Sequence, residues 1–168
     1  MSEFVRTLNR IKTHRGVEWL TPSQVRALTE LREVLPASGT VNLCGPAGVG
    51  KTFLAWVLAD KIGYAYFPHR SYFSEAEDVR APGVIIDNAD PGRLSHRSLL
   101  KDLEFENVKH AVLITRRLIQ DYTHYVELSL AKEDWHVVAD NLASIGCFVP
   151  ESSFDNLWHL VNPTLRRT

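Results

Sequence analysis

Short apolar runs alternate with longer amphipathic segments along most of this chain. The apolar runs predict five buried strands, which cover residues 40–44, 64–67, 84–87, 111–115 and 125–128. The segments between them carry apolar residues at helical spacing. Strands that alternate with helices indicate an α/β fold, in which helices cover both faces of a parallel sheet.

The first of the predicted helices has well-defined ends. Thr21 suits an N-cap, Pro22 suits the first helical position, and Gln24 completes a capping box three residues after the cap. Pro36 is predicted to end the helix, because proline cannot continue the hydrogen-bond ladder. The residues expected to form its buried face are Val25, Leu28, Leu31 and Leu35.

Four further helices are predicted, over residues 53–62, 94–105, 129–145 and about 154–160. Gly63 and Gly146 are expected to end the first and the third of them, since glycine readily adopts the left-handed conformation just past a helix. Ser129 is expected to cap the third helix. The inward residues of that helix are predicted to be Trp135, Val138, Leu142 and Ile145.

Length, charge and cysteine content narrow the class of protein. The 168 residues suffice for one ordinary domain. A net charge of −1 argues against a protein that coats nucleic acid through an extended basic surface. Two cysteines cannot build a disulfide framework or a zinc site. No apolar run approaches the roughly 20 residues that cross a bilayer, and residues 1–8 lack the apolar stretch of a signal peptide. We therefore expect a cytoplasmic protein without a membrane anchor.

No linker or internal repeat divides the sequence. Residues 1–20 are expected to form an N-terminal arm or short helix outside the core, residues 21–146 the core domain, and residues 147–168 a short C-terminal tail.

A specific motif lies between the first predicted strand and the helix that follows it. It matches G-x-x-x-x-G-K-[ST] in full, through Gly45, Pro46, Ala47, Gly48, Val49, Gly50, Lys51 and Thr52. Small residues let backbone N–H groups surround phosphates, and the following helix adds the positive end of its dipole. Lys51 would reach the β- and γ-phosphates, and the Thr52 hydroxyl would bind Mg²⁺. The motif therefore predicts a nucleotide-binding site.

A carboxylate that could serve the same metal follows another apolar run. Asp87 ends the predicted strand at residues 84–87, as the metal-binding aspartate does in a Walker B arrangement. We expect Thr52 and Asp87 to hold Mg²⁺ together, with Asp87 acting through a water molecule.

The chain resembles P-loop ATPases of the AAA+ and STAND (NB-ARC-like) type in four segments. The segment GPAGVGKTFLAWVLADKIG resembles their Walker A motif and following helix, VIIDNAD their Walker B motif, AVLITRR their sensor-1 strand, and YVELSLAKEDW their last core strand and helix. The resemblance implies a three-layer P-loop NTPase core with a parallel five-stranded sheet in the order 5-1-4-3-2. It also implies ATP and Mg²⁺ as ligands.

This sheet order would bring the end of the fourth strand between the phosphate loop and Asp87. Thr115 resembles the polar sensor residue of the family, and Arg116 resembles the arginine that touches the γ-phosphate, with Arg117 a competing choice. By this resemblance the catalytic group is Lys51, Asp87, Thr115 and Arg116.

Two departures from the family pattern affect the expected function. Asn88 stands where AAA+ proteins carry the glutamate that activates water. Because an amide cannot take a proton, we expect ATP hydrolysis to be weak or to depend on a partner. Residues 147–168 are too few for the helical lid of the family. We therefore expect a protein partner or a second copy of the chain to close the nucleotide site.

The resemblance implies an ATP-binding switch or loader subunit of a larger assembly, in a family that often works on DNA. A small phosphotransferase of the nucleoside-kinase or shikimate-kinase type is the alternative, and a non-hydrolysing scaffold is a third reading. The choice between ATP and GTP stays open, although the guanine-specific Asn/Thr-Lys-x-Asp motif is missing.

Two further features have open interpretations. Gln24 suits the capping box, but Leu20–Gln24 also resembles the glutamine motif of superfamily-one helicases, in which the glutamine reads adenine. The basic stretch from Arg93 to Arg117 suits a solvated surface, a nucleic-acid contact, or an arginine finger for a neighbouring site. Arg93 and Arg97 are the candidates for such a finger.

Overall fold

The computed structural model describes residues 2–76, 79–90, 96–119 and 124–162. Its helices are α1 Glu3–Thr13, α2 Pro22–Ser38, α3 Lys51–Ile62, α4 Arg70–Glu75, α5 His96–Phe105, α6 Asp134–Ser144 and α7 Glu151–Val161. Its strands are β1 Thr40–Cys44, β2 Ala65–Phe67, β3 Val84–Ile86, β4 Ala111–Thr115 and β5 Tyr125–Glu127. A 3₁₀ turn at Val17–Trp19 joins α1 to α2.

The strands form one parallel sheet in the order β2-β3-β4-β1-β5. This confirms the predicted α/β class and the predicted order 5-1-4-3-2. At the end of β1, Cys44 lies opposite Thr115 of β4 and Glu127 of β5. The carboxyl ends of the strands therefore meet at one edge, where ligands bind in open α/β sheets.

Two hydrophobic clusters cover the two faces of the sheet. Alternate residues of β4 point to opposite faces, so Val112 and Ile114 belong to one cluster while Ala111 and Leu113 belong to the other. Helices α2 and α3 complete the first cluster, and α4 and α5 complete the second. This is the three-layer arrangement that the sequence predicts.

The predicted end and buried face of α2 are partly wrong. The helix continues past Pro36 to Ser38 and stops at Gly39, whose φ is 72°. A proline near the end of a helix costs only one ladder hydrogen bond, which the buried face of α2 can outweigh. Val25 lies off that face and is exposed, whereas Ala27, Leu28, Leu31 and Leu35 are buried as a stripe.

The predicted start of α6 is also wrong. The helix begins at Asp134, with Glu133 as its N-cap, and not at Ser129. The buried Asp134 carboxylate accepts hydrogen bonds from the N–H groups of Ala131 (2.8 Å) and Ser23 (3.0 Å), which holds the preceding residues as a turn. Of the predicted inward residues, Ile145 is buried, and Trp135, Val138 and Leu142 are half-buried.

The remaining helices agree with the pattern more closely. Gly63 ends α3 and Gly146 follows α6, both with positive φ, and α7 lies where the tail helix is predicted. The first two residues predicted for α5, at 94–95, lie outside the described residues. The short helix α4 was not predicted. Within the described ranges, no helix has the length and apolar character needed to cross a bilayer.

Candidate functional site

The site lies in a cleft of about 350 Å³ at the carboxyl ends of β1, β3 and β4. The cleft is lined by Ala47, Gly48, Gly50, Lys51, Thr52, Asp87, Asn88, Asp90, Ile114, Thr115 and Arg116. The structure thus brings together every residue predicted for the catalytic group and for the metal. Gly45, Pro46 and Val49 complete the loop without lining the cleft, and Arg117 does not line it either.

The phosphate loop places the N-terminus of α3 at the cleft. Gly50 caps that helix with a φ of 94°, in the left-handed region that favours glycine. Gly45 is required for another reason, because a Cβ there would collide with the backbone oxygen of Leu128. The Lys51 ammonium donates hydrogen bonds to the backbone oxygens of Gly45 (2.6 Å) and Pro46 (2.7 Å), which holds its charge beside the loop.

The candidate metal ligands are hydrogen-bonded to each other. The Thr52 hydroxyl donates to Asp87 Oδ2 at 2.6 Å, which orients the lone pairs of Thr52 away from the carboxylate. The backbone N–H of Asn88 donates to the other oxygen, Asp87 Oδ1, at 2.9 Å. Hydroxyl and carboxylate oxygens suit Mg²⁺, which commonly takes few protein ligands and completes its shell with phosphates and water. The two residues therefore fit a magnesium ion that is also bound by phosphates. Among the described residues, no group of three or more His, Cys, Asp or Glu side chains could hold a metal by itself.

Tyr66 is a member of this site that the sequence analysis missed. Its phenol donates a hydrogen bond to Asp87 Oδ2 at 2.8 Å, so this oxygen accepts from both Thr52 and Tyr66. Burial, together with the charge of Asp87, raises the pKa of Tyr66, so the phenol keeps the proton that it donates. A tyrosine within a short apolar strand looks like a core residue, and no local pattern distinguishes it.

Thr115 and Arg116 occupy different parts of the cleft wall. The Thr115 hydroxyl donates to the backbone oxygen of Arg117 (2.7 Å) and accepts from the buried Asn42 amide (2.9 Å), so internal partners fix its orientation. The backbone N–H of Arg116 donates to Asp90 Oδ1 at 2.9 Å, and its exposed side chain lines the cleft. Asn42 was not predicted as part of the site.

Asn88 borders the cleft with an unusual backbone. Its φ of 48° is left-handed, and its side-chain amide donates to the backbone oxygen of Pro68 at 3.0 Å. Asparagine tolerates this conformation better than most residues. The amide is therefore engaged with the end of β2.

Gln24 joins the start of α2 to the phosphate loop. Its side-chain oxygen accepts from the Thr21 N–H at 2.9 Å, which confirms the capping box. Its amide nitrogen donates to the backbone oxygen of Gly50 at 3.0 Å. Through these two bonds Gln24 positions the loop, and its side chain also lines a second cavity beside the loop.

A second cavity, of about 250 Å³, lies on the other side of the phosphate loop. Its wall is mostly apolar and includes Trp19, Phe53, Leu130, Val138, Leu142, Phe154 and Leu157. Helix α7 contributes the last two of these, and Leu157 lies directly against Gly48. The predicted tail thus packs onto the phosphate loop.

The candidates for an arginine finger cannot be placed. Arg93 lies outside the described residues, and the side chain of Arg97 is not described. Lys101 and Lys109 are exposed, as expected for a solvated surface.

Comparison with solved structures identifies the class of fold. The chain is similar to AMPPCP-bound DnaA from Aquifex aeolicus, with a TM-score of 0.50 and 16% identity over 83% of this chain and 57% of that one. It is also similar to a crystal structure of a DNA replication initiation factor, with a TM-score of 0.52 and 18% identity over 80% of this chain and 54% of that one. The described sheet and loop define a P-loop NTPase core.

The chain spans just over half the length of these two structures. No model of a protein family matches the sequence, and no curated protein matches it.

The electrostatics of Lys51 lead to a testable pH dependence. Burial lowers the pKa of Lys51, against the opposing effect of Asp87 and Asp90. Bound phosphates would favour the charged amine and raise this pKa again, so binding should take up protons at alkaline pH. We expect affinity for ATP to fall as the pH rises through the Lys51 pKa of the free protein, by at most about tenfold per pH unit. Calorimetry in buffers of different ionisation enthalpy measures this uptake, and an affinity independent of alkaline pH would contradict it.

Proposed function

We propose that this protein binds Mg-ATP and acts as a nucleotide-dependent switch or loader subunit of a larger assembly, with weak or partner-dependent hydrolysis. The observation that carries the proposal is the convergence of Lys51, Thr52, Asp87 and Arg116 on one cleft beside the N-terminus of α3. Such a helix end, with a lysine and a hydroxyl, is the arrangement that P-loop proteins use for phosphates.

Each residue of the cleft would have a distinct task. The loop N–H groups and Lys51 would bind the β- and γ-phosphates, and Thr52 with Asp87 would hold the metal. A magnesium ion, when bound, neutralises charge on the phosphates. Arg116 would contact the γ-phosphate and report its loss, since its side chain lines the same cleft. Thr115 would act mainly by holding the end of β4.

The apolar cavity beside the loop suits the nucleobase. It adjoins Gly48 and Gly50 on the side of α2, α6 and α7, and its aromatic residues Trp19 and Phe53 offer flat apolar surfaces. Because α7 forms part of its wall, this chain supplies part of the closure itself. The other side of the phosphates would be closed by a partner or a second copy.

Weak hydrolysis follows from the chemistry at Asn88. This residue borders the cleft but cannot accept a proton, and its amide is bonded to Pro68. With Asp87 assigned to the metal, Asp90 is the other carboxylate that lines the same cleft and could orient water. Its Oδ1 atom accepts from the Arg116 N–H, so Oδ2 is the oxygen that would orient water unless a partner supplies another group.

The structural likenesses support the AAA+ part of the resemblance and a role beside DNA. One neighbour is DnaA, and the other is described as a DNA replication initiation factor. The phosphotransferase alternative is less well supported. It needs an acidic acceptor-binding residue just after the second strand, whereas the chain there carries Arg70, which is bonded to Ser98 (2.9 Å) and Asp102 (3.0 Å) of α5, and has no acidic residue before Glu75.

A comparison of nucleotide states tests the switch. Hydrogen exchange and sedimentation velocity would be measured in Mg-ATP and in Mg-ADP, with Lys51→Ala as the control that should not respond. We expect residues 45–52 and 111–117 to exchange more slowly with ATP, and self-association or partner binding to be stronger. Identical exchange and identical sedimentation in the two nucleotides would overturn the switch and leave a plain nucleotide-binding core.

A further inference from the structure

A separate cleft of about 320 Å³ lies between α1, α3 and β2. It is lined by Lys12, Arg15, Trp56, Ala59, Asp60, Tyr64 and Tyr66, none of which lines the phosphate cleft or the apolar cavity. The function proposed above makes no use of this cleft, although its side chains are chemically distinctive.

Aromatic rings form much of its wall. Trp56, Tyr64 and Tyr66 are all half-buried, so each ring is held in place while part of its surface faces the cleft. Trp56 meets Tyr66 edge to face, with ring centroids 6.5 Å apart and planes at 79°. Exposed faces of fixed aromatic rings are the surfaces on which planar bases stack.

Positive charge lies directly beside these rings. The Lys12 ammonium is 5.3 Å from the centre of the Trp56 ring, and both Lys12 and Arg15 are exposed. Arg15 is paired with Asp60, so Lys12 supplies the net positive charge of the cleft. A long exposed lysine can exchange a ring face for a phosphate oxygen, because a charge-assisted hydrogen bond is the stronger interaction.

The cleft is connected to the candidate metal site by one side chain. Tyr66 lines the cleft with its ring and donates its phenol proton to Asp87 Oδ2 at 2.8 Å. A ligand that shifts the Tyr66 ring would change the partners of Asp87. By the same contact, a metal bound at Asp87 would shift Tyr66.

We propose that this cleft binds a nucleobase that carries a phosphate. The base stacks on Trp56 and Tyr64, and the phosphate is bound by Lys12 with help from Arg15. Occupancy of the cleft is coupled to the nucleotide site through Tyr66; this coupling rests on the function proposed above, whereas the binding itself does not. A single-stranded nucleic acid and a free mononucleotide present the same chemistry.

Binding is tested with a fluorescein-labelled octathymidylate and the full chain, followed by anisotropy at low salt. We expect Trp56→Leu to weaken binding at least about fivefold, as for the loss of one stacked base. Lys12→Ala should reduce the slope of log affinity against log salt concentration by about one, which corresponds to the loss of one phosphate contact. The matched control is Lys132→Ala. The Lys132 ammonium makes a similar contact, 4.6 Å from the centre of the Trp158 ring, but both residues lie outside the cleft. This variant should bind the octamer as the wild type does.

The outcomes separate the two sources of the ligand. If thymidine monophosphate displaces the octamer, the cleft is a mononucleotide site. If the octamer binds and thymidine monophosphate does not displace it, the ligand is single-stranded nucleic acid. The proposal is overturned if neither probe binds. It is also overturned if Lys12→Ala binds the octamer with the affinity and salt dependence of the wild type, since Lys12 is exposed and its replacement should not affect folding. Lys51→Ala should still bind the octamer, so loss of the ATP site and loss of this cleft are distinguishable.

Coupling is read as the ratio of octamer affinities with and without Mg-ATP. We expect this ratio to differ from one in the wild type and to return towards one in Tyr66→Phe, which keeps the ring and removes the donor to Asp87. A ratio that is the same in both proteins would overturn the coupling.

Discussion

Replacing Lys51 with alanine is expected to weaken Mg-ATP binding by about 2–4 kcal/mol, or roughly 30- to 700-fold. The ammonium is held beside the loop by the Gly45 and Pro46 carbonyls, so it can reach phosphates without a large rearrangement. Alanine leaves the loop N–H groups in place but removes the positive charge that would face the β- and γ-phosphates. Isothermal titration calorimetry with Mg-ATP measures the loss.

The control for this experiment is Lys61→Ala. Lys61 lies in the last turn of the same helix and is exposed, on a part of α3 that does not line the phosphate cleft. The control should bind Mg-ATP as the wild type does. Equal binding by Lys51→Ala and the wild type would remove the central claim for this site.

The Asn42→Ala variant should lose about 2–4 kcal/mol of unfolding free energy. Asn42 is fully buried in β1, and its amide nitrogen donates to the Leu113 oxygen and the Thr115 hydroxyl, both at 2.9 Å. Its side-chain oxygen accepts from the Ile119 N–H at 3.1 Å. Alanine would leave these buried groups without their partner and open a small cavity. Urea denaturation, followed by circular dichroism, measures the loss.

The matched change is Asn156→Ala. Asn156 is exposed on α7, where a substitution should alter stability by no more than about 0.5 kcal/mol. If Asn42→Ala proves as stable as this control, the hydrogen bonds of Asn42 do not hold β1 and β4 together.

The sheet was predictable because its central strands are buried on both faces. The apolar runs 40–44 and 111–115 coincide with β1 and β4, and glycines mark where α3 and α6 stop. The errors arose where tertiary contacts outweigh local signals. Pro36 is carried within α2 by the buried face of that helix, and Asp134 fixes the turn that delays α6 past Ser129.

The candidate site was predictable where its residues are consecutive. The eight residues of the phosphate loop form a recognisable motif, and Asp87 follows an apolar run that predicts a strand. The resemblance to AAA+ and STAND ATPases added Thr115 and Arg116 to the same cleft. Asn42, Tyr66 and the contact of Gln24 with Gly50 were not predicted as parts of the site. Each depends on a hydrogen bond between residues far apart in sequence, which only the folded chain brings together.

The backbone of Asn88 limits how this chain could acquire efficient hydrolysis through mutation. A glutamate at this position would offer the missing proton acceptor, but at a φ of 48° it would be strained by about 1–2 kcal/mol. It would also lose the amide bond to Pro68. The substitution Asn88→Glu would therefore add a catalytic base and lower the stability of the protein at the same time. A mutational path to faster hydrolysis would be eased by a stabilising change elsewhere that offsets this strain.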